Sequence, residues 1–111
     1  MTTIKIFKQK KMITSIECSG HSGYAEKGRD IVCSAISAII GTCYLGLKNV
    51  VKAEPKHSQD DENGYFLIKI NQKLDTILME RAQIILQTTA LSLTELSKDY
   101  KNFVTVKFIT K

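Results

Sequence analysis

The sequence predicts an α+β domain in which a mainly antiparallel sheet is covered by two helices, forming a two-layer sandwich. Two observations lead to this fold class. Stretches in which polar and apolar residues alternate, as in strands, occur in pairs, and two longer stretches repeat with the period of an amphipathic helix. Their order along the chain is β-β-α-β-β-α-β. A chain of 111 residues can bury one hydrophobic core, so residues 1–111 are interpreted as a single domain.

The first half of the chain predicts a hairpin followed by a helix. Residues 3–7 and 13–18 alternate with period two, and the lysine-rich residues 8–11 between them form the turn. After a loop with three glycines the period changes at Asp30, a residue type preferred at helix N-caps. We expect this helix to end near Val51. Its apolar face comprises Val32, Ile36, Ile39, Ile40, Cys43 and Leu47.

The second half repeats this order of elements. Residues 65–70 form a predicted strand after the turn dipeptide Asn63–Gly64, and residues 53–58 are a candidate edge strand beside it. Apolar residues at helical spacing predict a second helix over residues 74–98. Alternation predicts a final strand over residues 103–109. No repeat or linker interrupts the chain, in agreement with a single domain.

Composition and charge narrow the class of protein. The charged fraction of 24% and the hydrophobic fraction of 43% are typical of soluble globular domains. Residues 31–47 carry no charge, but small and polar residues dilute this run, so we interpret it as a core helix and not as a membrane span. Three cysteines without a secretory signal segment predict free thiols in a reducing cytoplasm. The net charge of +5 suits a phosphate-rich partner such as RNA or the ribosome, but a mild excess of lysine is more often just a solvated surface.

The loop before the first helix carries a candidate nucleophile and a candidate base. Cys33 is predicted to be the third residue of the helix, where unpaired backbone N–H groups and the helix dipole stabilise a thiolate. His21 lies just past the second strand, and the glycines between them allow its imidazole to approach the thiol. On these residues alone, two simpler interpretations stay open: Cys33 as a small buried apolar residue and His21 as a surface histidine.

Other arrangements of the same residue types are also open. A zinc site built from Cys18, His21 and Cys33 has a suitable Cys–His spacing but lacks a fourth ligand. Cys18 could also approach Cys33 in space and form a redox disulfide. Cys18 and Cys43 otherwise look structural, and His57, beside three acidic residues, is interpreted as solvated. We therefore favour the Cys–His pair over a metal site.

The stretch SGHSGYAEKGRDIVCSAIS, residues 19–37, resembles the signature of the bacterial ribosomal-processing cysteine proteases. In that family a Gly-His stretch is followed, after a glycine-containing loop, by Asp-Ile-Val-Cys and small residues. Ser34 stands where alanine is frequent. The resemblance implies a cytoplasmic endopeptidase, usually a homodimer without metal or cofactor, that removes the N-terminal extension of large-subunit ribosomal protein twenty-seven. It also implies that Cys33 and His21 form the catalytic dyad.

Neighbouring residues receive supporting roles in this interpretation. Asp30 either caps the helix or orients His21, and we favour the cap. Ser37 lies one helical turn after Cys33 on the same side and is a candidate substrate contact. Residues 22–28 are expected to form a flexible flap that closes over an extended peptide. The residues assigned to this flexible substrate loop are Ser22, Gly23, Tyr24 and Gly28.

A second class of function stays open on sequence grounds. A non-enzymatic ribosome- or RNA-binding protein would also use the positive charge, and the basic turn at residues 8–11 could touch RNA. No aromatic-rich binding face accompanies that turn. Such a protein would bind RNA in a salt-dependent way and would be indifferent to loss of the Cys33 thiol, whereas a protease would lose all cleavage.

Overall fold

A computed structural model describes the whole chain, residues 1–111. It contains five strands and two helices in the predicted order β-β-α-β-β-α-β, and a π-helical segment (Gly46–Val51) continues the first helix. The elements are β1 (Thr2–Gln9), β2 (Met12–Ser19), α1 (Ile31–Leu45), β3 (Lys56–Asp60), β4 (Tyr65–Lys69), α2 (Thr76–Asp99) and β5 (Val104–Thr110).

The five strands form one sheet in the order β3-β4-β2-β1-β5. The pairs β1–β2, β2–β4 and β3–β4 are antiparallel, which confirms the mainly antiparallel sheet. The last strand differs, because β5 pairs parallel to β1, with Thr2 opposite Val104. Helix α2 carries the chain back along the sheet before β5 begins, as a parallel connection requires. Strands β3 and β5 are consequently the two edges of the sheet.

Both helices pack on the same face of the sheet, and the core lies between these two layers. Alternate residues of the central strands, such as Ile4, Ile6 and Ile16, point into the core and are fully buried. On the opposite face, Lys5 of β1 lies across from Glu17 of β2, and both side chains are partly exposed. Helix α1 buries residues three or four positions apart, namely Val32, Ile36, Ile40 and Cys43.

Helix α1 runs without interruption into the π-helical segment, so the helical stretch ends at Val51 as predicted. This stretch is long and apolar enough to cross a membrane by length and composition alone. In the folded chain, however, its face from Val32 to Leu47 is part of the hydrophobic core. Lys52 then adopts a left-handed conformation with φ of 61°, and its N–H bonds to the Leu47 carbonyl, which ends the helix.

Strand β3 begins three residues later than the predicted edge strand. The Ala53 N–H bonds to the Leu47 carbonyl, and Glu54 has a left-handed φ of 50°. These residues therefore complete the exit from the helix and cannot pair with β4. The observed strand consists of the polar residues 56–60, all exposed, and so lacks the apolar alternation by which strands are predicted.

Candidate active site

A cleft of about 860 Å³ lies between α1 and the β3–β4 hairpin, bordered at one end by the loop of residues 20–28. His21 and Cys33 both line this end of the cleft. Ser37, one turn farther along α1, is exposed and lines it too. The fold thus brings the candidate nucleophile, the candidate base and a candidate substrate contact to one surface.

Cys33 is the third residue of α1 and its side chain is half-buried. The thiol donates a hydrogen bond to Ser22 Oγ, 3.5 Å away, and the Ser22 backbone N–H donates to Cys33 Sγ over 3.5 Å. The N–H donor and the positive end of the helix dipole both stabilise negative charge that develops on the sulfur. The immediate surroundings of Cys33 therefore suit a nucleophilic thiol.

Asp30 is the N-cap of α1 and ties the helix to the loop. Its Oδ1 accepts the Cys33 backbone N–H at 2.9 Å, and its Oδ2 accepts the Ser22 hydroxyl at 2.5 Å. The backbone N–H groups of Tyr24 and Ala25 also donate to Oδ2, over 3.2 and 3.4 Å. Asp30 makes no hydrogen bond with His21, so its carboxylate serves the cap and the loop.

The Asp30 carboxylate lies near the surface but is covered by the loop, which leaves the residue 6% exposed. This burial opposes ionisation, but the hydrogen bonds from the Ser22 hydroxyl and from backbone amides outweigh it and lower the pKa of Asp30 to about 2. Because this pKa lies below the ordinary value of 3.8, the charged carboxylate stabilises the folded state above about pH 4. That contribution is lost as the pH falls from 4 toward 2.

We expect Asp30→Asn to lower the free energy of unfolding at pH 7 by about 1–2 kcal/mol, because an amide can still cap the helix but replaces charge-assisted hydrogen bonds with weaker ones. The variant should also lose less stability than the wild type between pH 4 and pH 2. Urea unfolding across this range measures both effects. An identical pH dependence in the two proteins would contradict the role given to the carboxylate.

His21 is exposed, and a backbone group of the β3–β4 turn holds its ring. Its Nε2 lies 3.0 Å from the Glu62 carbonyl oxygen. A carbonyl oxygen only accepts hydrogen bonds, so Nε2 carries the proton in this arrangement. The neutral ring then has its lone pair on Nδ1, which is the nitrogen able to accept a proton from a thiol.

Gly64 brings the same turn into contact with the end of β2. It has a φ of +62°, and a Cβ at this position would lie 3.0 Å from the Gly20 carbonyl carbon and 3.1 Å from His21 Cε1. Only glycine combines this conformation with this close approach. The sequence predicts Asn63–Gly64 as a turn. In the structure, this turn also packs against the His21 ring.

His21 and Cys33 line the same cleft, but no hydrogen bond joins them. Instead Ser22, the neighbour of His21, contacts the thiol. Ser22 is 2% exposed and bound to Asp30, so this part of the expected flexible loop is a buried component of the site. The sequence carries no signal for this role, because a serine in a glycine-containing stretch is typical of a solvated loop.

An aromatic contact anchors the next part of the loop. The Tyr24 ring packs edge-on against Tyr100 and Phe103, with centroid distances of 5.8 and 5.2 Å. Gly23 and Gly28 have φ values of +75° and +90°, which let the loop reverse direction, and open space lies where a Cβ would be. Closure of this loop over a peptide stays a prediction, and any such movement has to release or preserve the Tyr24 contact.

The other two cysteines occupy different surroundings. Cys18 and Cys43 are 5% and 1% exposed. Burial, with the Glu17 carboxylate beside it, raises the pKa of Cys18 to about 12, and burial also raises the pKa of Cys43. Both therefore stay protonated at neutral pH and are poor nucleophiles. All three thiols are free, and no three His, Cys, Asp or Glu side chains converge as metal ligands.

The far end of the cleft contains a histidine in a contact that the sequence does not predict. His57 is exposed, but its ring centroid lies 4.5 Å from that of Tyr44 and 6.0 Å from that of Phe66. All three rings line the cleft. They come from β3, α1 and β4, so no local sequence pattern joins them.

The amino-acid sequence matches the family described as cysteine protease Prp over residues 1–105. Two of the curated relatives are named ribosomal processing cysteine protease Prp. The relative from Bacillus subtilis (strain 168) is 29% identical over 92 residues, which cover 83% of this chain and 82% of the relative. The relative from Staphylococcus aureus (strain Mu50) is 29% identical over 96 residues, which cover 86% and 87%.

Crystal structures resemble the fold over nearly its whole length. A Streptococcus mutans protein matches with a TM-score of 0.88 and 27% identity, covering 100% of this chain and 96% of its own. The essential ribosomal processing protease Prp of S. aureus matches in a complex with a covalently linked product peptide, with a TM-score of 0.87 and 27% identity. Its complex with a substrate peptide matches with a TM-score of 0.82 and 28% identity. Both complexes cover 97% of this chain and 99% of their own.

Proposed function

This chain belongs to the cysteine protease Prp family, and from that premise we propose that it removes the N-terminal extension of large-subunit ribosomal protein twenty-seven, with Cys33 as nucleophile and His21 as acid–base group. A related enzyme has been crystallised with a substrate peptide and with a covalently linked product peptide, which supports a peptide substrate for this fold. The alternative of a non-enzymatic RNA-binding protein has no support in a family of peptidases.

The observation that carries the proposal is the presence of the Cys33 thiol and the His21 imidazole at one end of a single large cleft. The cleft runs beside β3, an edge strand, and its 860 Å³ are ample for several residues of an extended peptide. The Glu62 carbonyl favours the ring tautomer with a basic Nδ1, which is the form that a proton acceptor needs.

The reaction then follows the course of acyl transfer. His21 Nδ1 takes the proton of the Cys33 thiol, and the thiolate attacks the scissile carbonyl carbon. The tetrahedral intermediate collapses, the C–N bond breaks, and the imidazolium donates its proton to the leaving amine. A water molecule, deprotonated by His21, hydrolyses the resulting thioester and restores the free thiol. Since no hydrogen bond joins the two residues at rest, we expect peptide binding to bring the imidazole to the sulfur.

The developing oxyanion requires hydrogen-bond donors beside Cys33. Two amides of the first helical turn already bond to Asp30, because the Cys33 N–H donates to its side chain and the Ser34 N–H donates to its carbonyl. The remaining first-turn amides are therefore the candidates at the helix start. The Ser22 N–H, which is directed at the sulfur, is a further candidate donor.

Incubation with the extended ribosomal protein tests the proposal, with a matched protein that lacks the extension as control. We expect a single cut that releases the extension, read as a new N-terminus by mass spectrometry, and no cut in the control. An extended substrate that stays whole, in the presence of enzyme whose Cys33 thiol still reacts with iodoacetamide, would overturn the proposed function.

We also propose that the enzyme acts in the cytoplasm as a homodimer. Three free thiols support a reducing compartment. On α2, Ile77, Ile84 and Leu91 repeat every seven residues and are between 60% and 68% exposed, which supports an apolar face for a second copy. Light scattering should give twice the chain mass of 12.5 kDa, and the mass of a single chain at every concentration would contradict the dimer.

A further inference from the structure

The cleft continues beyond the residues of the proposed chemistry, along most of α1. Residues of α1 from Cys33 to Leu45 line one side, and residues of β3 and the following turn line the other. Eleven residue steps separate Cys33 from Tyr44, which at 1.5 Å per residue is about 16 Å. An extended peptide rises about 3.3 Å per residue, so about five of its residues span this distance.

Gly41 lies on this wall, eight residues after Cys33 and three before Tyr44, and the fold itself does not require a glycine there. It lies within α1, its φ is not positive, and a Cβ built on it would have no atom within 4 Å. A glycine inside a helix is less stable than alanine, so position 41 weakens the helix without a packing gain inside the chain. Gly46 differs, because a Cβ there would lie 3.0 Å from Ile85.

The neighbouring rings of Tyr44, His57 and Phe66 line the far end of the cleft, and this cluster is here called the aromatic platform. Aromatic rings associate favourably with other rings and with apolar side chains. The Lys48 ammonium group already lies 5.7 Å from the Tyr44 ring centroid. A second cation would be repelled there, so an apolar or aromatic side chain is the favoured occupant.

We propose that an extended substrate segment passes over Gly41 and places an apolar or aromatic side chain on the aromatic platform, about five residues from the scissile bond. The missing side chain at Gly41 keeps the cleft open next to the aromatic platform, which explains a glycine that contributes nothing to packing. Gly41 and the aromatic platform thereby determine substrate specificity. This inference rests on the proposed function, because it takes Cys33 as the point of cleavage.

The test compares kcat/KM of the wild type, Gly41→Leu and Ala38→Leu. The substrates are a junction peptide with about six residues on each side of the scissile bond and two peptides shortened on one side or the other. For the wild type, only the side of the peptide that reaches the aromatic platform should matter. Shortening that side should lower kcat/KM by at least about tenfold. Gly41→Leu should lower kcat/KM for the long peptide by a similar factor. On the peptide whose shortening lowers kcat/KM of the wild type, Gly41→Leu should have nearly the same kcat/KM as the wild type. Ala38 is exposed on the same helix outside the cleft, so Ala38→Leu should match the wild type.

A second variant keeps the test independent of folding. Gly41→Ala should raise Tm by about 2–5 °C, since it removes the glycine penalty, and should raise KM for the long peptide. The inference is overturned if Gly41→Leu cleaves the long peptide as well as the wild type, or if it loses the same factor on every peptide. A wild type that cleaves none of the peptides would instead overturn the proposed function.

Discussion

Replacing Cys33 with alanine is expected to abolish cleavage of the extended ribosomal protein, with kcat/KM lowered at least about 10⁴-fold. No other thiol can replace it as the acyl acceptor, because burial and the raised pKa keep Cys18, which also lines the cleft, protonated. Cys33 is half-buried and its thiol makes only weak hydrogen bonds with Ser22, over 3.5 Å, so the fold should survive the substitution. Product formation by mass spectrometry and unfolding by circular dichroism measure the two effects.

Cys43→Ala is the matched control for this experiment. Cys43 is 1% exposed on the core side of α1, so its loss should reduce stability but leave cleavage in the folded protein intact. The comparison separates loss of a particular thiol from loss of any thiol. Cleavage by Cys33→Ala above about one hundredth of the wild-type rate would exclude Cys33 as the nucleophile.

Replacing His21 with alanine should lower kcat/KM by about 10²–10⁴-fold, the range expected when a general acid–base group is removed. The remaining rate should increase steadily with pH, because hydroxide has to replace the imidazole as the base. Alkylation of Cys33 by iodoacetamide without peptide should change little, because no hydrogen bond joins the imidazole to the thiol at rest. Peptide kinetics across a pH series and timed labelling provide these measurements.

The stability of the His21→Ala protein serves as the internal control. His21 is exposed, and its one hydrogen bond is to the Glu62 carbonyl, so Tm should change by no more than a few degrees. A large fall in activity with an unchanged Tm then reports on chemistry and not on folding. A variant that keeps its kcat/KM within about threefold of the wild type would remove His21 from the mechanism.

The fold was predictable wherever local rules decide it. Asp30 followed by helical periodicity locates the start of α1, and the Asn63–Gly64 turn locates the start of β4. The parallel pairing of β5 with β1 was not predictable, because it depends on the path that α2 takes across the sheet. The edge strand β3 was predicted beside β4, but its bounds were not, because it has no apolar alternation and its exposed residues only pair with β4.

In the candidate site, too, features set by local sequence rules were predictable and features set by tertiary contacts were not. The N-cap residue lies three positions before Cys33, so the sequence alone predicts that Cys33 lies in the first turn of α1. The partner of His21 is a backbone carbonyl, at Glu62, and any residue type would supply the same atom. The buried contact of Ser22 with the thiol depends on how the loop folds back. Such tertiary contacts leave no pattern of spacing or composition in the chain.

The hydrogen bond between His21 and the Glu62 carbonyl has a consequence for the timing of activity during synthesis. The proposed nucleophile and the proposed base both lie within the first 33 residues, but the Glu62 carbonyl that bonds to the imidazole lies in the turn between β3 and β4. A nascent chain that has left the ribosome only as far as α1 carries Cys33 and His21 without the carbonyl group that orients the imidazole. Under the proposed mechanism, we therefore expect proteolytic competence only after the second hairpin has emerged and paired with β2.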